Sequence, residues 1–476
     1  MPHRLHVTSS RNNFEYDLAV IGGGSGGYAA ARTAAAKGVK TAVIEGGDQV
    51  GGLCILRGCM PTKALLYAAE VMHLATHTAP WGIRVEDVSF NFAQVMARKN
   101  ILIKDFADCR EEQLRKGKFK FIRAMARFAD PHTLELSTGE KLTARHFVIA
   151  TGSKVAPSPL PPLNEVGYID SDSALTLERL PKSLIVLGGG AVAVEFAQFF
   201  ARFGVRVTLI QRSPHILHEF DSDAAEVLEN VFRREGIVLY TGTKLLEARR
   251  AGSHKEVSFE HQGKIVRVQA EEIFFGLGRV PNIHSLGLEN TGVQLEYGRI
   301  FTDTGMQTTV PHIYAAGDCT GLHEIVHLAI QQGETASWNI AHPDRIKHRD
   351  YRLLCEVIFT EPQVACVGLN EKKAHVENVP YVVAKYPFSE HGKSLIMEAK
   401  DGFVKLLAEP FTGEILGGSC VGPHGGELIH EIIAAMHKRM TVHELAAMPH
   451  YHPTLAEIWA YPAEELAEQV APETLR

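Results

Sequence analysis

Tyr16-Asp17-Leu18-Ala19-Val20-Ile21-Gly22-Gly23-Gly24-Ser25-Gly26-Gly27 is the stretch on which the fold turns. The β-branched run predicts a strand, the glycines a tight turn, and the alanine-rich continuation to Lys37 a helix. In a G-x-G-x-x-G loop the first glycine makes the turn, the second lets backbone approach a pyrophosphate, and the third lets helix and strand pack closely. Gly22, Gly24 and Gly27 fit those places, so the helix N-terminus would face an anion. Residues 40–44 read as a second strand. Glu45 at its end, about twenty residues beyond the glycines, is placed to accept hydrogen bonds from ribose hydroxyls. An ordinary glycine turn is the bland alternative, and it does not require strand, helix and acid at these spacings.

The layout recurs 166 residues later. Residues 184–187 form a strand, Gly188 and Gly190 the loop, 191–203 a helix and 205–210 a strand, with Ala193 as a tolerated small residue at the third position. The chain therefore carries two nucleotide-binding units. The second differs at its ribose position, where Gln211 and Arg212 replace a carboxylate. A carboxylate repels a 2′-phosphate and a guanidinium pairs with it. This points to NADPH rather than NADH, the alternative being that Arg212 is a solvated surface charge.

With 476 residues, several domains are expected. Apolar residues make up 45% and charged residues 22%, and the net charge of −6 gives no reason to expect nucleic acid. The most apolar stretch, 184–200, is shorter than the roughly 18–20 residues of a membrane span. Residues 1–15 lack a signal-type apolar segment, so a cytoplasmic protein is expected. Residues 64–116 read as helical, followed by strand-like sequence to 152 and a proline-rich linker at 156–163. Residues 274–282 and 313–318 read as short strands ending in glycine turns. Residues 351–476 alternate strands and then helices, as in a separate α+β domain.

Seven cysteines, an odd number scattered over a long chain, argue against a structural disulfide framework. One local pair stands out, Cys54 and Cys59 in Gly51-Gly52-Leu53-Cys54-Ile55-Leu56-Arg57-Gly58-Cys59-Met60-Pro61-Thr62-Lys63. On an ideal helix they would lie about 7.5 Å apart in rise and face different ways, outside easy reach of the roughly 4.4–6.8 Å Cα separation of a disulfide. Gly58 and Pro61 allow a distorted helix entry that could bring the sulfurs together. Such a pair near a helix N-terminus should be reducible, with at least one acidic thiol. Zinc would need two more ligands, and no metal site is expected.

This segment resembles the redox-active disulfide motif of the class I flavin disulfide reductases, the pyridine nucleotide-disulfide oxidoreductase family that includes dihydrolipoamide dehydrogenase, glutathione reductase and mercuric reductase. Similarity runs from Tyr16 to about Leu466. It includes Ala150-Thr151-Gly152, Gly278-Arg279-Val280-Pro281-Asn282, Ala316-Gly317-Asp318, Phe359-Thr360-Glu361-Pro362 and His450-Tyr451-His452-Pro453-Thr454-Leu455-Ala456-Glu457. The resemblance implies an α/β fold with two Rossmann-like FAD/NAD(P)-binding domains and a C-terminal α+β dimerisation domain. The expected boundaries are 15–155 and 273–350 for the two parts of the FAD domain, 156–272 for the NAD(P) domain and 351–476 for dimerisation.

Further roles follow from the same resemblance. FAD would occupy the first unit, with Thr151, Gly152 and Asp318 near it, and NADPH or NADH the second, with Gly188, Gly190, Gln211, Arg212 and Gly278. Cys59 would lie over the flavin as a charge-transfer thiolate, and Cys54 would exchange with the substrate. Lys63 and Glu195 match an ion pair near the flavin, where positive charge stabilises the reduced form; an ordinary helix-surface pair is the alternative. His452 matches the acid–base residue of thiol exchange, oriented by Glu457. In the family this dyad comes from the partner subunit, so a homodimer is expected. A metal-binding His-x-His at His450 and His452 is the competing reading.

The expected substrate is a small-molecule or protein-bound dithiol or disulfide. The chain lacks the C-terminal cysteine pair usual in mercuric reductases. Arg32 matches one carboxylate-holding residue of glutathione reductases, whereas Thr33 and Glu334 stand where others would be. His327, Glu334 and His450 are shared with dihydrolipoamide dehydrogenases, the nearest resemblance. Gln211-Arg212 and Leu56-Arg57 depart from that group, and Arg57 could lower a thiol pKa or meet an acidic substrate. A flavin-binding redox sensor without turnover is the reading from another class; retention of Cys54, Cys59, His452 and Glu457 argues against it.

Overall fold

The computed structural model describes residues 14–470, so most of the N-terminal stretch and the C-terminal 471–476 lie outside the described residues. The chain divides into two compact units, each assembled from separated segments. The first comprises residues up to 56, 103–154 and 279–349; the second comprises 57–102, 155–278 and 350–476.

In the first unit, strands Lys120–Arg123, Thr41–Glu45, Tyr16–Ile21, Lys141–Ile149 and Ile313–Ala315 form a parallel sheet in that order. Leu18, Ala19 and Val20 are fully buried, as a parallel strand covered on both faces requires. Lys141–Ile149 also closes an antiparallel meander with Ala126–Asp130 and Thr133–Leu136. Helices Ser25–Ala36 and Val326–Ala341 cross at a glycine contact, where a Cβ on Gly333 would lie 2.2 Å from the Gly26 carbonyl oxygen.

The second unit holds a parallel sheet in the order Val238–Tyr240, Arg206–Ile210, Ser183–Leu187, Glu272–Phe275, Ile169–Asp170. Beside it in sequence, Thr243–Ala251, His254–His261 and Lys264–Ala270 make a three-stranded antiparallel sheet. The C-terminal part is a five-stranded antiparallel sheet, ordered Cys355–Ile358, Gln363–Gly368, Ile415–Gly422, Phe403–Ala408, Val382–Pro387. Helices Gly425–His437 and Ala460–Gln469 complete it, with Trp459 and Leu466 fully buried in its core.

One expectation is corrected. The helical reading of 64–116 is two helices, Cys59–Thr76 and Phe92–Lys116, separated by the short turn Ala79–Trp81 and an extended segment. Pro80 lacks the N–H a continuous helix needs, and Gly82 takes a left-handed φ of 72° that ends the turn.

Candidate active site

The first glycine loop is shaped by close approach. A Cβ on Gly22, whose φ is +110°, would sit 2.3 Å from the Ala150 carbonyl oxygen, and one on Gly27 would sit 1.9 Å from that of Gly22. Gly24 caps the helix with no side-chain hydrogen bond, leaving first-turn N–H groups available to an anion. Glu45 accepts from the N–H of Gly23 at 2.8 Å and of Gly47 at 2.7 Å, and its remaining lone pairs can serve a ribose.

Two further features of this unit fit a bound dinucleotide. Thr151 Oγ1 is buried without a hydrogen-bond partner, and Gly152 beside it has φ +70°. The Asp318 carboxylate accepts from Ser153 Oγ at 2.7 Å, and that oxygen accepts from Arg279 Nε at 3.0 Å. These residues form a cradle with a charged lip and an unmet polar atom, consistent with FAD.

The second loop repeats the geometry. A Cβ on Gly188 would lie 2.3 Å from the Gly276 carbonyl oxygen, and Gly190 caps its helix without a side-chain bond. Gln211 is buried under Gly189 and accepts from the Arg212 N–H at 3.0 Å. The Arg212 side chain is exposed. Gly278 has φ +111° with open space beside it.

Cys54 lies in the short helix Gly52–Leu56, and Cys59 opens the helix Cys59–Thr76 after Gly58, whose φ and ψ of −129° and −113° break the path between them. Both are partly buried. The distorted entry expected from Gly58 is therefore present. Arg57 is paired with Asp172 at 3.6 Å.

Lys63 Nζ meets both oxygens of Glu195 at 3.0 and 2.9 Å. Glu195 is only 3% exposed, so this is not a surface pair. The Phe359 N–H donates to Glu195 Oε1 at 2.9 Å, and Lys63 Nζ stands 4.6 Å from the Phe359 ring centroid.

His452 Nδ1 contacts Glu457 Oε2 at 2.8 Å. The His452 side chain is 76% exposed in the single chain and that of Glu457 10%. His450 turns away, its Nε2 on Glu431 Oε1 at 2.7 Å and its Nδ1 on the Met448 carbonyl. The two histidines are thus engaged by different carboxylates. A residue absent from the sequence reading also reaches this site: His391, fully buried, faces Glu457 Oε1 at 3.3 Å through Nε2. No short motif surrounds it, and its only sequence signal is a histidine between Glu390 and Gly392 in a turn.

Comparison with known proteins defines the class. Residues 16–333 match the pyridine nucleotide-disulphide oxidoreductase family and 354–463 match its dimerisation domain. The chain belongs to that family: it is an FAD-dependent, NAD(P)-linked flavoprotein disulfide oxidoreductase, and its dimerisation domain supports a homodimer. Among its relatives, the mitochondrial dihydrolipoyl dehydrogenase of Schizosaccharomyces pombe is 35% identical over 437 residues, 90% of this chain and 85% of that protein. The dihydrolipoyl dehydrogenase of Bacillus subtilis is 36% identical, covering 88% of this chain and 90% of its own. The crystal structure of LpdA from Mycobacterium tuberculosis superposes with a TM-score of 0.85 at 28% identity, over 94% of this chain and 99% of that one.

Proposed function

We propose that this enzyme exchanges electrons with a lipoyl-like dithiol, as in a dihydrolipoyl dehydrogenase, with Cys54 and Cys59 as the exchanging pair and His452 as the base. The observation that carries this reading is the 2.8 Å contact between His452 Nδ1 and Glu457 Oε2. A carboxylate only accepts, so Nδ1 carries the proton and Nε2 is left as the base.

Exchange then balances as follows. His452 Nε2 takes the proton of one substrate thiol, and the thiolate attacks Cys54 Sγ, breaking the Cys54–Cys59 bond and forming a mixed disulfide. The second substrate thiol passes its proton to Cys54 as it displaces it, closing the oxidised substrate and leaving two electrons on the cysteine pair, with the first proton held on His452. FAD, when bound, carries those electrons to the pyridine nucleotide. Gly22, Gly24, Gly27, Glu45, Thr151, Gly152 and Asp318 would hold it, and the half-buried Lys63–Glu195 pair matches the ion pair that stabilises reduced flavin in the family.

The alternatives lose support at particular residues. Arg32, the one residue matching a glutathione-carboxylate site, is paired with Glu334 at 2.5 Å. A mercuric-type reductase usually lacks the histidine dyad, which His452 and Glu457 form here at 2.8 Å. For the nucleotide, exposed Arg212 beside uncharged Gln211 favours NADPH. Arg212→Glu should shift the NADPH:NADH ratio of flavin-reduction rates towards NADH by about tenfold; an unchanged ratio makes Arg212 a surface charge.

We read the segments 15–155, 156–272, 273–350 and 351–476 as the functional domains. A cytoplasmic enzyme free of membrane and nucleic acid fits the net charge of −6. Among the described residues no helix is long and apolar enough to cross a membrane.

The test is anaerobic rapid mixing of the holoenzyme with dihydrolipoamide, glutathione and NAD(P)H in turn. Dihydrolipoamide should reduce the flavin rapidly and glutathione should not. His452→Gln should lower the ratio of dithiol-driven to nucleotide-driven reduction by about 10²–10⁴. Equal losses in both half-reactions would remove His452 from the role of base.

A further inference from the structure

We propose that His391 is a positioning residue for the base: its Nε2–H holds one oxygen of Glu457, so that the other is presented to His452 Nδ1. The inference rests on the reading of His452 as the base.

His391 is 0% exposed and precedes the short helix Gly392–Ile396. Its Nδ1 lies 2.8 Å from Ser394 Oγ, and its Nε2 faces Glu457 Oε1 at 3.3 Å. Both atoms are buried, and at 3.3 Å they face each other without an aligned hydrogen bond and without any other partner, so a small rotation of either side chain would satisfy both. The edges of the cage are aromatic, with the Tyr461 ring at 6.2 Å and the Phe388 ring at 6.4 Å, both edge-on. Burial disfavours the imidazolium, against the pull of Glu457, while His452 is the other charge-bearing group felt here.

A neutral imidazole has one donor and one acceptor nitrogen. With Nε2 as the donor to Glu457 Oε1, which only accepts, Nδ1 accepts from the Ser394 hydroxyl. The donors then run from Ser394 through His391 to Glu457, and from His452 to the second oxygen. A carboxylate gripped at both oxygens cannot rotate away from His452.

The experiment uses the holoenzyme, with dihydrolipoamide as dithiol, reading the ratio of dithiol-driven to nucleotide-driven flavin reduction. His391→Phe keeps a ring and removes the donor. It should lower the ratio about tenfold, since Glu457 without its donor is free to turn away from His452. His391→Gln, whose amide can donate, should restore the ratio. Ser394→Ala, a gentler change should the phenylalanine variant fail to fold, should lower the ratio about threefold. Wild-type behaviour of His391→Phe, or of Ser394→Ala where the former does not fold, overturns the proposal. So does a glutamine variant as slow as the phenylalanine one, which would reduce His391 to packing. His452→Gln run alongside separates the two levels: if it retains wild-type dithiol reduction, the base assignment falls and this inference with it. If His452→Gln is slow while His391→Phe is not, only the role of His391 falls.

Discussion

Burial lifts the Glu361 carboxyl to about 7, against the pull of Arg202. In the unfolded chain the same group titrates near 4.5, so between those values the folded state holds a proton that the unfolded state has released. Stability therefore falls as pH rises through that window. Glu361→Gln should raise the thermal unfolding midpoint at pH 8, by an amount equivalent to roughly 3 kcal/mol, with the gain vanishing near pH 4; an equal gain at both pH values would mean that packing is responsible. Burial also pushes the Cys355 thiol up to about 11 and those of Cys319 and Cys366 up to about 12. These sulfurs are inert at neutral pH, and the sequence separates them from Cys54 and Cys59 only by spacing and glycine context. Cys54, Cys59, His452 and Glu457 are legible because their chemistry is concentrated in short motifs. His391 is not, because its partner comes from a distant segment and only folding brings them into contact.

At the scale of elements, a buried lysine helps tie the C-terminal sheet to the second nucleotide-binding unit. Lys405, in the strand Phe403–Ala408 and 1% exposed, places Nζ 3.0 Å from Asp221, 2.9 Å from Asp223 and 2.7 Å from Glu371. Burial alone would lower its pKa. Hydrogen bonds donated to Glu371 and Asp223 and the charges of Asp221 and Asp223 outweigh this and raise it. Asp221, which precedes the helix Ser222–Arg234, also accepts from the N–H groups of Glu371 and Lys372. Lys405→Met strands three carboxylates around an apolar chain and should cost about 3–5 kcal/mol in chemical denaturation; a loss below 1 kcal/mol would mean that water replaces the ammonium. The nucleotide-binding strands and helices are legible because glycine spacing and unbroken apolar runs coincide there. The antiparallel sheet over 243–270 escapes such a reading: two of its strands are largely exposed, and neither glycine spacing nor an apolar run marks them.

For the whole molecule, the family's dimerisation domain and the 76% exposure of His452 in a single chain suggest a test by complementation. Cys54→Ser and His452→Gln chains, each inactive alone with dihydrolipoamide, should regain about a quarter of wild-type turnover when refolded together. Random pairing makes half the dimers mixed, each with one intact site of two; no recovery would place cysteines and histidine of a working site on the same chain. The interleaving of the two units along the sequence has a further consequence, for synthesis. The strand Ile313–Ala315, which pairs with Lys141–Ile149, belongs to the same unit as residues 16–56. At roughly 5–20 residues per second, the nascent first unit waits about ten to thirty seconds at the ribosome before its last strand emerges, with the edge of Phe147–Ile149 bare. That waiting edge is where a chaperone or a mispaired neighbouring chain would gain its hold.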